Sequence, residues 1–168
     1  MKTLYNILAG TFIVSFLLTA ATGCASKKIP ASDKAKAVSE MINSKSYVFK
    51  AEYALPRSGT SRNLTPDYYL TVSPDTIISN LPFFGRAYTA PIDPTKGGFK
   101  FTSTDFEYTF SERRKGGWQV SIKPNDTRDV QQLTLDISEN GYASLRVISN
   151  SREPMAFNGY ITERKNRK

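Results

Sequence analysis

The 168-residue sequence has no histidine and only one cysteine, Cys24, and these shortages exclude most familiar catalytic chemistry. Without histidine there is no Ser-His-Asp or Cys-His catalytic site, and a zinc site of cysteine and histidine is excluded as well. A single cysteine forms no disulfide within the chain. A carboxylate-only calcium site or a carboxylate-pair hydrolase is still open, but no pair is visible among the acidic residues of turns and outward strand positions: Asp75, Asp93, Asp105, Glu107, Asp136. The sequence therefore favours a protein without catalytic activity, and it indicates no metal and no cofactor.

The first 23 residues have the order of a secretory signal peptide. Met1-Lys2 is positive, residues 4–18 are mostly apolar, and small residues lead to Cys24. Ala21-Thr22-Gly23-Cys24 resembles the lipobox of bacterial lipoproteins, which predicts cleavage between Gly23 and Cys24 and lipid attachment at Cys24. An uncleaved membrane-spanning anchor is the alternative, because the apolar run is about long enough to span a bilayer. A cysteine that carries at least two acyl chains, such as diacylglycerol plus an N-acyl chain, holds a protein stably on a membrane.

Acidic residues are fewer than basic ones, 15 against 23, which gives a net charge of +8. A basic balance suits partners rich in phosphate, namely nucleic acid, anionic lipid or lipopolysaccharide. An exported protein rarely meets nucleic acid, so the membrane surface is the preferred partner and nucleic acid is not expected. A merely solvated basic surface is the simpler interpretation.

Beyond the predicted tether, the pattern indicates one short helix followed only by strands. Val38, Met41 and Ile42 share one face of a predicted helix within Asp33–Asn43. Apolar and polar residues then alternate, which is typical of strands with one buried face. In the first alternating run, residues 47–55, Tyr53 is predicted on the same apolar face as Phe49. Asn140-Gly141 predicts a hairpin with a type I′ turn, in which both residues have positive φ.

About eight to ten strands with short connections must pair antiparallel, and their apolar faces require a sheet that closes or folds over. The sequence therefore predicts an all-β antiparallel meander, a lipocalin-like β-barrel whose short N-terminal helix covers an open end. A β-sandwich or a curved sheet packed on the helix is the alternative. The predicted organisation is a signal peptide at 1–23, a tether at 24–32, a single β-rich domain at 33–163 and a basic tail at 164–168.

The segment 81–88, Leu-Pro-Phe-Phe-Gly-Arg-Ala-Tyr, is the least regular part of the chain. Pro82 and Gly85 indicate a loop or bend. Aromatic side chains supply contact area and arginine pairs with anions, so the segment is a candidate binding edge. The alternative is a loop folded over the barrel end, with its phenylalanines in the core. The predicted ligand-binding residues are Phe83, Phe84, Arg86, Tyr88 and Trp118.

The lipobox and the segments "LPFFGRAY", "GGFKF", "GWQVSI", "NGYASLRVISNSR" and "FNGYI" resemble a group of small Bacteroidota lipoproteins known only as a domain of unknown function. The resemblance covers about residues 33–163. It implies a lipocalin-like barrel and an envelope location, with no assigned activity and no site residues. The sequence departs from the family where Asn150-Ser151-Arg152 replaces a tighter Asn-Arg pair. Surface display in that phylum is associated with acidic residues after the lipidated cysteine, so the basic Lys27-Lys28 implies an outer-membrane protein that faces the periplasm.

Three functions remain open from the sequence. The leading hypothesis is a membrane-anchored, non-enzymatic binding module that holds a small apolar or amphipathic ligand in the mouth of its barrel. The second is an interaction or structural protein that docks on an envelope partner, and the third is a carboxylate-based enzyme. The first predicts a cavity of ~300 Å³ or more, and a filled interior with an exposed apolar patch would favour the second. Two carboxyl groups that converge in a cleft would favour the third.

Overall fold

The computed structural model describes residues 31–88 and 97–164. The predicted signal peptide, the Gly23–Cys24 cleavage site, residues 24–30 of the tether and residues 165–168 of the tail lie outside the described residues. Within the described ranges, no helix is both long and apolar enough to cross a bilayer.

In the part of the chain that the structure describes, one helix precedes ten strands. The elements are α1 (Ala31–Asn43), β1 (Tyr47–Pro56), β2 (Arg62–Asn63), β3 (Tyr69–Val72), β4 (Ile77–Leu81), β5 (Phe99–Ser103), β6 (Phe106–Glu112), β7 (Trp118–Pro124), β8 (Val130–Ile137), β9 (Tyr142–Ser149) and β10 (Met155–Glu163). The predicted helix and the main runs of alternation are confirmed. The two-residue strand β2 lies in a stretch that reads as a polar loop, because it is too short to show alternation.

The strands form one antiparallel sheet in the order β5-β4-β3-β1-β10-β9-β8-β7-β6, with β2 paired to β1. Every step along this order is antiparallel, so the first and last strands, β5 and β6, point the same way. Only Thr104 and Asp105 separate them. They are therefore two halves of one bent strand, which pairs with β4 before the bend and with β7 after it. This bent strand joins the two ends of the sheet into a nearly closed barrel and confirms the predicted fold class.

The bend is fixed by hydrogen bonds from the β7–β8 turn. A carboxylate oxygen of Asp126 accepts the backbone N–H of Thr104 at 2.8 Å and that of Asp105 at 3.3 Å. The backbone N–H of Asn125 donates to the Asp105 carbonyl at 2.8 Å. Amides that lose their ladder partners where the strand changes neighbours are thus satisfied.

Large side chains fill the interior of the barrel. The largest fully buried ones are Ile42, Tyr47, Phe49, Leu70, Ile77, Leu81, Phe99, Ile122, Leu133, Leu135, Ile137 and Phe157. Among the described residues, every buried side-chain nitrogen and oxygen has a hydrogen-bond partner.

Helix α1 packs against one end of the barrel, which we call the helix end. Val38 and Ile42 belong to the buried core. The Tyr108 hydroxyl on β6 donates to the Ile42 carbonyl at 3.1 Å. The Tyr47 hydroxyl on β1 lies 3.4 Å from that of Tyr108. We call the opposite end, where Pro56 of β1 pairs with Met155 of β10, the loop end.

The predicted direction of Tyr53 is wrong. The register of β1 against β10 shifts between Ala51 and Tyr53, so Glu52 forms a β-bulge. A bulge reverses the faces of the residues that follow it. Tyr53 therefore points outward and is 46% exposed, whereas Ala54 is fully buried.

The predicted turn type at Asn140-Gly141 is also wrong, although the hairpin forms. Gly141 has a φ of 88°, but Asn140 is not among the residues with positive φ. The backbone N–H of Ser138 donates to the Tyr142 carbonyl at 2.8 Å, and that of Gly141 donates to the Ser138 carbonyl at 2.9 Å. This closes a three-residue loop with glycine in its last, left-handed position, so only one positive φ is needed.

Candidate functional site

The segment with Phe83, Phe84, Arg86 and Tyr88 lies across the loop end of the barrel. Ala87 forms an isolated antiparallel bridge with Arg152. The backbone N–H of Tyr88 donates to the Ser151 carbonyl at 2.7 Å, and that of Glu153 donates to the Arg86 carbonyl at 3.1 Å. These contacts hold the segment against the connection between β9 and β10.

The two phenylalanines of this segment are half-buried and pack on protein groups. The Phe83 ring meets the Phe99 ring edge-on, with centroids 5.5 Å apart. The guanidinium of Arg62 lies 4.7 Å from the centroid of the Phe84 ring. Arg86 is exposed, and Tyr88 is 66% exposed.

Trp118 does not join the other four predicted residues. It begins β7 and pairs with Ile137, next to the β8–β9 turn. That turn touches α1, since a Cβ on Gly141 would lie 3.7 Å from Val38 Cγ2. Trp118 is therefore at the helix end and is only 8% exposed. The structure brings Phe83, Phe84, Arg86 and Tyr88 together on one segment, and their ligand-binding role stays a prediction.

Arg152 organises the loop end, a role that sequence reasoning missed. It is buried, its Nη1 donates to the Gly98 carbonyl at 3.1 Å, and its Nε lies 3.5 Å from an Asp129 carboxylate oxygen. Its guanidinium also lies 5.4 Å from the ring centroid of Phe83 and 5.6 Å from that of Phe99. The signal was present in the unusual Asn150-Ser151-Arg152 segment, but sequence spacing does not reveal these distant partners.

A groove on the outer face of the sheet is the second candidate site, and we call it the tyrosine groove. It has a volume of about 450 Å³, which is within the usual range for ligand sites. Tyr53 and Tyr142 flank it, and they are 46% and 61% exposed. Its remaining lining side chains are short or polar: Glu52, Arg113, Asp136, Ser138, Ala143, Ser144 and Asn158, together with Gly159.

Strand register explains why these side chains meet. Tyr53 is paired with Asn158, Asn158 with Ser144, Ser144 with Asp136, and Asp136 with Gln119. Cross-strand partners point to the same face, so the five form one outward row across β1, β10, β9, β8 and β7. Neighbouring strands are about 4.8 Å apart, so the row is roughly 19 Å long.

Gly159 lies where β1 and β10 approach each other closely beneath the groove. A Cβ at this position would lie 1.9 Å from the carbonyl oxygen of Lys50 on β1. Only glycine lets β1 and β10 approach so closely beside the Glu52 bulge. The bulge beside this close approach turns Tyr53 to the outer face.

The charges of the tyrosine groove are partly paired with each other. Arg113 Nε lies 3.9 Å from an Asp136 carboxylate oxygen, and Gln119 Nε2 donates to Asp136 Oδ1 at 2.9 Å. Glu52 is exposed at the other side. Within residues 31–88 and 97–164, no three acidic, histidine or cysteine side chains cluster in a way that could hold a metal ion. The arrangement offers flat aromatic faces and both donors and acceptors of hydrogen bonds.

The fold and site together define a small antiparallel β-barrel protein capped by one helix, with a filled interior and an aromatic groove on its outer face. Residues 30–161 match the model of the family described as "Domain of unknown function (DUF4251)", and the chain belongs to this family. This confirms the part of the resemblance that concerns a domain of unknown function.

A solved structure supports the fold. The chain is similar to a DUF4251 family protein from Bacteroides eggerthii DSM 20697, whose crystal structure was determined at 1.95 Å resolution. The match has a TM-score of 0.57 and 16% sequence identity, and it covers 79% of this chain and 87% of that one. No curated protein matches the chain.

Proposed function

We propose that this chain is a lipid-anchored protein of the bacterial envelope that binds a small amphipathic ligand on the outside of its barrel and catalyses no reaction. The single observation that carries the binding proposal is the tyrosine groove, which offers about 450 Å³ of space beside two exposed aromatic side chains.

The filled interior favours the outer face over the mouth of the barrel as the binding site. Ligand sites need space, and the interior positions hold large side chains that exclude solvent. Helix α1 covers one end, and the segment with Phe83 and Phe84 crosses the other. A ligand in the mouth would have to displace that segment or bind at its exposed residues, Arg86 and Tyr88.

The anchor proposal rests on the sequence of residues 1–24. Lipidation at Cys24 would tether α1, which begins at Ala31, within a few residues of the membrane. Basic Lys27-Lys28 after the cysteine supports the periplasmic face of the outer membrane. The eight-stranded meander, in which β5 and β6 count as one strand and β2 is left aside, supports a lipocalin-like barrel.

The anchor is tested by the processing of Cys24→Ser in a bacterial host. We expect this variant to accumulate as a precursor that retains residues 1–23, while wild type and a Ser26→Ala control are cleaved and partition into the membrane. A soluble, processed Cys24→Ser product would contradict the anchor.

Binding is tested by native mass spectrometry of the full-length chain, extracted in mild detergent and incubated with an extract of the bacterial envelope. We expect the wild-type protein to carry the added mass of a bound ligand, and we expect Tyr53→Ala to lack it. Tyr88→Ala tests the loop end in the same way, because Tyr88 is a 66% exposed tyrosine on the segment with Phe83 and Phe84. If all three proteins show only the mass of the ligand-free chain, the binding proposal is contradicted. If only Tyr88→Ala loses the bound ligand, the ligand site is at the segment with Phe83 and Phe84.

A further inference from the structure

The tyrosine groove has a neighbour on the other side of Tyr53. This second groove has a volume of about 310 Å³ and is lined by residues of β1, β2 and β10, including Asn63 and Tyr160, and by Leu64 and Pro66 of the loop after β2. Both grooves are lined by Glu52 and Tyr53. The Tyr53 side chain thus stands between two adjoining spaces, which suits a ligand built from linked units rather than a single compact molecule.

The floor of the tyrosine groove disfavours a wholly apolar ligand. Ser144 and Asn158 are exposed there, and their hydroxyl and amide groups are hydrated in the free protein. An aliphatic chain would cover them without replacing their hydrogen bonds, which is unfavourable for binding. A ligand for this surface must therefore carry its own hydrogen-bonding groups.

The charges disfavour a strongly ionic ligand. Arg113 lies 3.9 Å from Asp136, so an anion that bound Arg113 would meet a carboxylate beside it. A cation would have to compete with Arg113 for Asp136. A hydrogen bond in which one partner is ionised is stronger than a neutral one, so Arg113 and Asp136 can still bind the polar groups of an uncharged ligand.

A neutral sugar chain meets all of these requirements. Each sugar hydroxyl both donates and accepts hydrogen bonds, so it can pair with Glu52 and Asp136 as acceptors and with Arg113 and Asn158 as donors. The C–H faces of a sugar ring are apolar and flat enough to lie on a tyrosine ring. The roughly 19 Å row from Tyr53 to Gln119 is long enough for more than one ring.

We infer that the tyrosine groove binds a neutral oligosaccharide, with Tyr53 and Tyr142 as stacking platforms and with Glu52, Asp136, Arg113 and Asn158 as hydrogen-bond partners. This inference rests on the proposed function and names the ligand class of the same site. The Glu52 bulge is essential to it, because without the bulge Tyr53 would point into the core.

The test is saturation-transfer and titration NMR of the full-length chain in a detergent without a sugar head group. The probes are the neutral trisaccharides cellotriose, maltotriose, mannotriose, galactotriose and chitotriose. We expect at least one to bind, and Tyr53→Ala and Tyr142→Ala each to weaken its binding at least about tenfold. Tyr53→Phe should stay within about threefold, since the aromatic face is retained. Phe110→Ala, at an aromatic residue that is 43% exposed and lines neither groove, is the control and should match wild type.

Three results would overturn the inference. They are no binding of any trisaccharide, equal binding by wild type and Tyr53→Ala, or loss of binding in Tyr88→Ala. If an adduct from the envelope extract depends on Tyr53 but no trisaccharide binds, the sugar assignment fails and the proposed function stands. If neither a component of the extract nor any trisaccharide binds, the proposed function and the sugar assignment both fail. Circular dichroism of each variant separates lost binding from lost folding.

Discussion

At the scale of single residues, Arg152 shows how one buried charge holds irregular backbone in place. It joins Gly98, Asp129 and two phenylalanine rings at the loop end. Asp129 in turn accepts hydrogen bonds from the hydroxyls of Ser149, at 2.7 Å, and Ser151. The guanidinium of Arg152 therefore links the segment with Phe83, the start of β5 at Gly98 and Phe99, and the β7–β8 connection at Asp129 to the β9–β10 connection. Its planar shape lets it contact several partners at once.

Replacing Arg152 by lysine should destabilise the protein although the charge is kept. A lysine ammonium cannot donate in two fixed directions or stack on Phe83 and Phe99. The free energy of unfolding from urea denaturation should fall by about 1.5–3 kcal/mol, the range for hydrogen bonds to charged groups. The control Arg146→Lys, on the exposed face of β9, should change it by less than ~0.5 kcal/mol. Equal stability of Arg152→Lys and wild type would show that Arg152 does not organise the loop end.

At the scale of secondary-structure elements, two contacts outside the strand ladders fix the barrel. One is the pair of tyrosine hydroxyls that joins α1 to β1 and β6. Tyr108 gives its only hydroxyl hydrogen to the Ile42 carbonyl, so Tyr47 must donate to the Tyr108 oxygen. The other is the Asp126 carboxylate at the bend between β5 and β6.

Tyr108→Phe should loosen the docking of α1 and change the response to alkaline pH. Burial raises the pKa of Tyr108 from 10.0 to about 12, and burial also raises the pKa of Tyr47 well above its usual value. The stability from the neutral hydroxyls is therefore complete below pH 10 and is lost as the pH rises towards 12 and beyond.

We expect Tyr108→Phe to lose about 1 kcal/mol at neutral pH and to show a shallower alkaline decline than wild type. Urea denaturation between pH 7 and 11 measures both. Tyr142→Phe, at an exposed position, is the control and should follow wild type. Parallel alkaline declines of wild type and Tyr108→Phe would contradict the role of the buried hydroxyl pair.

Asp126→Asn should change the response to acid. The Ser103 hydroxyl and the backbone N–H groups of Thr104 and Asp105 lower the pKa of the Asp126 carboxyl from 3.8. The ionised carboxylate therefore contributes stability above about pH 4, and this is lost as the pH falls through its lowered pKa. The variant should be less stable than wild type at neutral pH and converge with it in acid. Urea denaturation at several pH values measures this, and the control Asp75→Asn, in the exposed β3–β4 turn, should follow wild type. If the free energy of unfolding of Asp126→Asn differed from that of wild type by the same amount at every pH, the role of the ionised carboxylate would be contradicted.

The strands can be predicted from the sequence because their periodicity is local. The tyrosine groove cannot, because its lining comes from strands that are far apart in the sequence. Trp118, Val120 and Ile122 alternate with polar residues, and all three are buried as that pattern predicts. The Glu52 bulge lies in the pairing of β1 with β10, and these strands are far apart in the sequence. Alternation alone therefore predicts the wrong face for Tyr53, and the row from Tyr53 to Gln119 depends on the register of five strands.

At the scale of the whole molecule, the two ends of the barrel are closed by different means. Side-chain packing of α1 covers the helix end, and backbone pairing of the segment at Ala87 with Arg152 covers the loop end. With large side chains inside, the space for a ligand lies on the outer face of the sheet, where the tyrosine groove is found. Barrel architecture alone does not imply a ligand inside, since function depends on the site and not on the fold.

Phe157→Ala tests whether the interior is a packed core or a container for ligand. Phe157 is fully buried and pairs across strands with Ala54 and Leu145. In a packed core, its truncation leaves a cavity and should lower the free energy of unfolding by about 3–5 kcal/mol. Asn158→Ala, the next residue on the exposed face, should stay within ~0.5 kcal/mol of wild type. If Phe157→Ala were as stable as wild type and wild type took up an apolar fluorescent probe into its interior, the barrel would be a container, and the ligand site would belong inside it rather than at the tyrosine groove.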